Sequence, residues 1–241
     1  MPYIQHAGGM SNVPILALAS TKGGVGKTTL AFCLATELAR RLSGPPDNRR
    51  AGIPDKVAVA CIDADPNQTL YQAVRRGKPA GVQAEVATAD TLLPAVAEAN
   101  RHARLVLIDL EGTANQAMLY ACGKASLVLI PAQPSLFDVV EAMKTHAVVA
   151  QAADLTGRDI MARVVLSRTP VLRQRVVEHS RRQFNERGLP MLNAELMERT
   201  AFRLMTYTGK APWEDDPEGG AAANVAALVD EVLALLDMDL T

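Results

Sequence analysis

The chain has 241 residues, a length that suits one domain built around a single hydrophobic core. Hydrophobic residues make up 49% of it and charged residues 21%, a balance that excludes an intrinsically disordered chain. The net charge is -1, so a surface that binds nucleic acid would have to be local. Cys33, Cys61 and Cys122 lie apart in apolar surroundings without metal-ligand spacing, and we expect buried thiols in a reducing compartment.

The two ends of the chain carry no predicted membrane or export signal. No apolar run approaches the roughly 18 residues that a membrane span requires. Residues 1–12 lack a basic start followed by an apolar stretch, so we predict a flexible N-terminal tail and not a secretory signal. We expect residues 13–241 to form a single domain of a cytoplasmic protein.

The apolar segments alternate between strand patterns and helix patterns along the chain. Predicted strands cover residues 13–20, 56–63, 82–89, 104–112, 125–134 and 159–170. Predicted helices cover residues 27–42, 91–103, 136–155, 173–188 and 223–238. Residues 43–55 form a predicted Pro/Gly-rich loop. This alternation predicts a doubly wound α/β fold with a mostly parallel sheet.

The segment TKGGVGKTT, residues 21–29, lies between the first predicted strand and the first predicted helix. It nearly fits the phosphate-loop pattern G-x-x-x-x-G-K-[ST], but Thr21 takes the place of the first glycine and Lys22 adds a second positive charge. Glycines let backbone N–H groups turn inward around an anion, and the dipole of the following helix favours negative charge. The predicted ATP-binding residues are Gly23, Gly24, Val25, Gly26, Lys27, Thr28 and Thr29.

Each side chain of this loop has an expected partner on the nucleotide. Lys27 would reach the β- and γ-phosphates, and Thr29 is placed for the α-phosphate. The Thr28 hydroxyl would bind Mg²⁺, which prefers oxygen ligands and keeps several waters. The sequence therefore predicts ATP and Mg²⁺ as the bound groups.

Three aspartates follow apolar strand segments. Asp63 and Asp65 lie in CIDADPNQT, and Asp109 lies in VLIDLEG. The carboxyl ends of parallel strands meet at one edge of the sheet, so these side chains should emerge beside the phosphate loop. We expect them to hold the water shell of the Mg²⁺ ion.

The motifs K-G-G-V-G-K-T-T, D-A-D-P-N-Q and V-L-I-D resemble those of the ParA/MinD family of deviant Walker P-loop ATPases. The resemblance covers roughly residues 13–236 and implies a slow ATPase, stimulated by a partner protein, that converts ATP and water to ADP and phosphate. It implies that Lys22 reaches across an ATP-dependent homodimer to the nucleotide of the other subunit. It also implies that Asp65 positions or deprotonates the attacking water, and that Asp63 and Asp109 support Mg²⁺.

Two features depart from the family pattern. Most members follow the third aspartate with a threonine and prolines, whereas this chain has Asp109-Leu110-Glu111-Gly112. Glu111 adds a negative charge near the expected γ-phosphate. The loop 43–55 is longer than usual, and we expect it to be a surface elaboration.

A local basic region favours a DNA-binding member of this family. Between residues 158 and 210 the chain has eleven lysines and arginines against five acids, a net charge of +6, which leaves the rest at -7. Such polarisation is expected of a weak, salt-sensitive DNA binder. Arg173, Arg181 and Arg182 are the predicted phosphate contacts. We therefore expect a nucleoid-associated ATPase that acts in plasmid or chromosome partition with a ParB-like or other stimulating protein.

Other functions stay open as alternatives. The stretches TPVLRQRV and ERTAFRLMTYTG are similar to the ParA-like protein of conjugative T-DNA transfer, which implies a factor that recruits a relaxosome. A MinD-like membrane switch is disfavoured, because the last predicted helix is acidic and no basic residue follows Lys210. An iron–sulfur reductase would need a cysteine companion for Cys122. A regulatory ATP switch without hydrolysis is a further alternative. About twelve residues precede the first strand, so we expect a small ParA type without an N-terminal helix-turn-helix.

Overall fold

The computed structural model describes residues 13–43, 57–172 and 174–238. The predicted tail 1–12, nearly all of the predicted loop 43–55 and the predicted DNA contact Arg173 lie outside these ranges.

Seven parallel strands form one sheet. They are β1 (Ile15–Leu18), β2 (Val57–Ala64), β3 (Val82–Val86), β4 (Ala103–Leu110), β5 (Leu127–Ala132), β6 (Met161–Thr169) and β7 (Leu196–Met197). Their order in the sheet is β3-β2-β4-β1-β5-β6-β7, and every pair that the structure describes is parallel. The predicted doubly wound α/β fold is confirmed, with a sheet that is parallel throughout its described pairs.

Helices cover both faces of the sheet. They are α1 (Lys27–Ser43), α2 (Thr69–Gly77), α3 (Leu92–His102), α4 (Gln116–Lys124), α5 (Leu136–Thr156), α6 (Arg175–Glu186), α7 (Thr200–Thr208), α8 (Pro212–Asp215) and α9 (Gly220–Leu235). One layer of core residues packs α1, α2, α7 and α9 on the sheet, and the other packs α3, α4, α5 and α6. Within the described residues, none of these helices has the length and apolar character of a membrane span.

Alternation along β4 shows how each strand serves both layers. Leu105 and Leu107 belong to the layer that contains α1, whereas Val106 and Ile108 belong to the opposite layer. All four side chains are fully buried, as expected for a central strand of a parallel sheet. Asp109 continues the alternation on the α1 side, where the phosphate loop lies.

The six predicted strands and five predicted helices are confirmed, with ends that shift by a few residues. Sequence patterns did not predict α2, β7, α7 or α8. The strand β7 has two residues and α8 has four, so neither is long enough to show a periodic pattern. The expectation of buried free thiols is confirmed, because Cys33, Cys61 and Cys122 are all buried and unpaired.

Candidate nucleotide-binding site

The loop between β1 and α1 has the backbone of a phosphate cradle. Gly24 and Gly26 have φ angles of 75° and 89°, in the left-handed region that glycine adopts without strain. The carbonyl oxygen of Gly26 accepts the first hydrogen bond of α1, from the N–H of Leu30 at 2.9 Å. The loop therefore leads directly into the N-terminus of a 17-residue helix, where the dipole favours an anion.

Hydrogen bonds to the loop carbonyls fix which way its peptide groups face. The Gly24 carbonyl accepts from Gln133 Nε2 at 3.2 Å, and the Val25 carbonyl accepts from the Ser167 hydroxyl at 2.6 Å. By contrast, the N–H groups of residues 23–26 donate no hydrogen bond to any part of the chain that the structure describes. These donors are therefore free to bind phosphate oxygens.

Lys27 lies at the mouth of the cradle with only 7% of its surface exposed. Its ammonium group is 3.5 Å from the Lys22 carbonyl. Desolvation lowers the pKa of Lys27, and the negative charges of Asp109, Asp65 and Glu111 act in the opposite direction. A buried ammonium surrounded by carboxylates is well placed to neutralise a bound phosphate.

The residue that replaces the first glycine of the motif attaches the loop to a distant helix. The N–H of Thr21 donates to the Thr145 hydroxyl at 3.0 Å, and its own hydroxyl donates to the Glu141 carboxylate at 2.8 Å. Both partners lie on α5. Thr21 has less backbone conformational freedom than glycine, but its side-chain contacts hold the start of the loop against α5.

The second lysine of the loop is also bound to α5. Lys22 Nζ lies 2.8 Å from the Asp138 carboxylate, which is 2% exposed. The same carboxylate accepts from the Ser135 hydroxyl and from the N–H of Gln133. In this structure the lysine predicted to reach a partner's nucleotide is paired within its own subunit. Sequence reasoning missed Asp138, although S-x-x-D at a strand end is a helix-start signal.

Asp109 is the carboxylate best suited to a magnesium site. It is fully buried, and neither of its oxygens forms a hydrogen bond of ordinary geometry with the described residues. Burial raises the pKa of Asp109 to about 7, and the nearby charge of Asp63 adds to the rise, whereas the Thr28 hydroxyl and Lys27 oppose it. A buried carboxylate without a partner, beside a threonine hydroxyl, fits a Mg²⁺ ion and its water shell.

Asp63 is the neighbour of Asp109 across the sheet, since the two residues are paired in the β2–β4 register. One Asp63 oxygen accepts from the N–H of Asp65 at 3.1 Å, and the other accepts from the N–H of Tyr71 at 2.9 Å. Burial raises the pKa of Asp63, and these backbone donors oppose the rise. Asp63 therefore holds the loop that presents Asp65 and the start of α2.

Asp65 is partly exposed at the same edge of the sheet. Its carboxylate accepts from the backbone and side-chain amides of Asn67, at 2.8 and 2.9 Å. The structure thus brings together, around one edge, the loop residues 21–29 and all three predicted aspartates. Within the described chain, no group of three or more His, Cys, Asp and Glu residues could hold a metal by itself.

A groove next to the phosphate loop could receive the rest of a nucleotide. It has a volume of about 280 Å³, and its lining includes Gly26, Thr29, Arg168 and Phe202. Arg168 has a φ of 52°, unusual for a residue other than glycine, and its side chain lies over Gly26. Sequence reasoning did not assign Arg168 to the site. Its position at the end of a predicted strand, like those of the aspartates, was the available signal.

The predicted DNA contacts differ in how free they are. Arg181 donates to the carbonyls of Leu192 at 3.1 Å and Asn193 at 2.7 Å, and it lies 3.4 Å from Glu195. Arg182 is exposed and forms no hydrogen bond or ion pair with the residues that the structure describes. The Arg181 side chain thus supports the fold, and Arg182 is the more available of the two.

Comparison with known proteins identifies the family. The model of the family described as VirC1 protein matches residues 13–211. Protein ParA of Rhizobium radiobacter is 28% identical over 217 residues, which cover 88% of this chain and 91% of that protein. Protein virC1 of the same organism is 28% identical over 205 residues, 81% of each chain. The cell division ATPase MinD of Pyrococcus furiosus is 19% identical and superimposes with a TM-score of 0.71 over 92% of this chain and 99% of its own. The chain belongs to the VirC1 protein family and has the P-loop ATPase fold of the ParA/MinD type.

Proposed function

We propose that the protein hydrolyses ATP with Mg²⁺ at the carboxyl edge of its sheet. Two features of one sheet edge carry this proposal: the N–H groups of residues 23–26 are free, and the buried carboxylate of Asp109 forms no hydrogen bond of ordinary geometry with the described residues. The donors suit phosphate oxygens, and the carboxylate suits the hydrated metal that accompanies them. The likeness to ParA and to the MinD ATPase supports the same reaction.

Each residue of the site has a separate role in phosphoryl transfer. Lys27 binds the β- and γ-phosphates, and Asp65 orients the attacking water or takes its proton. Thr28, together with waters on Asp63 and Asp109, would hold Mg²⁺. When bound, this ion would neutralise charge that develops on the phosphate oxygens. Lys22 of a second subunit would stabilise the same charge in trans, which makes dimerisation depend on ATP.

We further propose that the ATP-bound homodimer binds DNA without sequence preference in the cytoplasm and associates with the nucleoid. A ParB-like or other partner protein would trigger hydrolysis and release, and this cycle would move or position a plasmid or chromosome region. The net charge of +6 between residues 158 and 210 and the exposed guanidinium of Arg182 support such a surface.

A second candidate function is the recruitment of DNA-processing proteins in conjugative DNA transfer. The match with the VirC1 protein family over residues 13–211 favours it, as does the likeness of TPVLRQRV and ERTAFRLMTYTG to the ParA-like protein of T-DNA transfer. Both candidates use the same ATP site. They differ in whether DNA binding depends on which nucleotide is bound.

The deciding experiment measures binding to a non-specific DNA duplex without nucleotide, with ADP and with ATP, at two salt concentrations. Partition-type function predicts binding that requires ATP, weakens with salt and falls for Arg182→Ala. Arg181→Ala is compared with Arg182→Ala. It removes hydrogen bonds to two backbone carbonyls, so it should also lower the stability of the fold. Equal binding in all nucleotide states would favour the conjugative role, and no binding at all would contradict DNA as the partner.

The ATPase itself is tested separately. Lys27→Ala should abolish ATP binding. Asp65→Ala should bind ATP without hydrolysing it, and the protein should stay trapped as an ATP-bound dimer. Hydrolysis at the wild-type rate by Asp65→Ala would overturn the role given to that carboxylate.

A further inference from the structure

Glu111 is a charged residue of the site that the proposed reaction does not use. It follows β4 directly and lies two positions after Asp109. Glu111 is the first residue beyond the strand, at the edge of the sheet where the phosphate loop lies. The adjacent residue confirms this closeness, since a Cβ added to Gly112 would lie 2.8 Å from the backbone N and Cα of Gly23.

The Glu111 carboxylate has no cation of its own. In the part of the chain that the structure describes, it forms no ion pair. Lys22, one of the two lysines of the loop, is paired with Asp138 at 2.8 Å. Glu111 nevertheless acts electrostatically on Lys27, the residue predicted to bind the β- and γ-phosphates. Its negative charge therefore acts on the lysine that would bind the β- and γ-phosphates.

Hydrogen bonds hold this carboxylate in place. The Thr113 hydroxyl donates to it at 3.2 Å and the Asn115 amide at 3.3 Å. Asn115 in turn caps α4, because its side-chain oxygen accepts from the N–H of Met118 at 2.9 Å. Glu111 is thus fixed to the start of a helix and is not a freely rotating surface acid.

We propose that Glu111 makes the site discriminate between ATP and ADP, by opposing the γ-phosphate with a fixed negative charge. This inference rests on the proposed ATPase function and adds a regulatory residue to it. ADP lacks the γ-phosphate and escapes the repulsion. In a single subunit ATP is therefore held less tightly than the phosphate loop alone would allow. The Lys22 cation from a second subunit would offset the charge of Glu111, so retention of ATP would depend on dimerisation.

The test compares the affinities of the full chain for ADP and for AMPPNP, an ATP analogue that is not hydrolysed, with excess Mg²⁺. Titration calorimetry is run at a protein concentration where size-exclusion chromatography shows a monomer. Glu111→Gln removes the charge and keeps the size and the acceptor oxygen. Because the change removes one of two like charges in a partly hydrated site, Glu111→Gln should bind AMPPNP roughly three- to tenfold more tightly. The affinity for ADP should change by less than about twofold.

Two variants separate charge from structure. Glu111→Asp keeps the charge and should retain the wild-type ratio of the two affinities. Glu98→Gln makes the same chemical change on α3, where Glu98 pairs with Arg101, and should also leave the ratio unchanged. The gain for Glu111→Gln should shrink as salt is raised, because screening weakens the repulsion.

The outcomes distinguish this inference from the proposed function. An unchanged ratio in Glu111→Gln would overturn the inference, and so would equal gains for both nucleotides. An unchanged ratio with hydrolysis reduced by about a hundredfold would overturn it too, and would make Glu111 a proton acceptor instead. If the wild-type chain bound neither nucleotide, the ATPase function itself would fail.

Discussion

Replacing Lys22 by alanine removes the cation that lies 2.8 Å from the Asp138 carboxylate. That carboxylate is 2% exposed and would stay buried with two remaining donors, Ser135 and Gln133. Breaking a fully buried ion pair costs about 3–5 kcal/mol, and breaking an exposed one costs about 0–1 kcal/mol. The Lys22 side chain is 36% exposed, so the expected loss lies between these limits, at about 1–2 kcal/mol.

Urea unfolding without added nucleotide measures this loss. For a chain of this size it corresponds to a melting temperature lower by roughly 3–6 °C. A double-mutant cycle with Asp138→Asn isolates the pair, and the coupling energy should be about 1–2 kcal/mol. Lys144→Ala is a matched control on the same helix, because Lys144 and Glu141 are also 2.8 Å apart but the lysine is 61% exposed. That variant should lose less than about 0.5 kcal/mol.

Additive losses in the Lys22–Asp138 cycle would refute this account of how the loop is held. The result also bears on the proposed trans role of Lys22. Lys22→Ala is expected to keep ATP binding and to weaken ATP-dependent dimerisation. A dimer of unchanged affinity in a stable Lys22→Ala variant would contradict that role.

Three other variants test the packing and charge of the site. Gly112→Ala should lose ATP affinity at least tenfold in equilibrium binding, since its Cβ would lie 2.8 Å from the backbone of Gly23; wild-type affinity would show that the two loops can separate at little cost. Gly77→Ala should lower the free energy of unfolding by about 2–4 kcal/mol, because its Cβ would lie 1.7 Å from the Gly209 carbonyl oxygen; a loss below about 1 kcal/mol would contradict the close approach of α2 and α7. Because the pKa of Asp109 is raised to about 7 in the folded chain, its charged form is disfavoured on folding, and the contribution of Asp109 to the free energy of unfolding should fall as pH rises from about 4 to 7. Asp109→Asn should flatten that fall in urea titrations over this range, and an equal slope in both proteins would contradict the shift.

Local sequence was enough to predict the architecture and the phosphate loop. Buried strands such as β4 are continuous apolar runs, and α1 and α5 carry helical patterns, so neighbouring residues determine these elements. The cradle was predictable for the same reason, because the φ angles of Gly24 and Gly26 suit glycine at those positions. Aspartates at strand ends were predictable because parallel strands deliver their carboxyl ends to one edge.

Contacts between distant residues were not predictable in this way. The partners of Thr21 and Lys22 lie on α5, more than 110 residues further along the chain. The carbonyls that bind Arg181 belong to a segment without a regular pattern, so the sequence did not show that this predicted DNA contact is engaged in the fold.

The sequence by itself determined an α/β fold with a phosphate loop between the first strand and the first helix, because glycine freedom, strand length and charge are local properties. Only the tertiary structure decided that Thr21 and Lys22 attach the loop to α5, and that Asp109 is buried with no hydrogen bond of ordinary geometry to the described residues. Both facts depend on which elements pack together, since burial and hydrogen bonding are set by neighbours that the folded chain brings from far along the sequence.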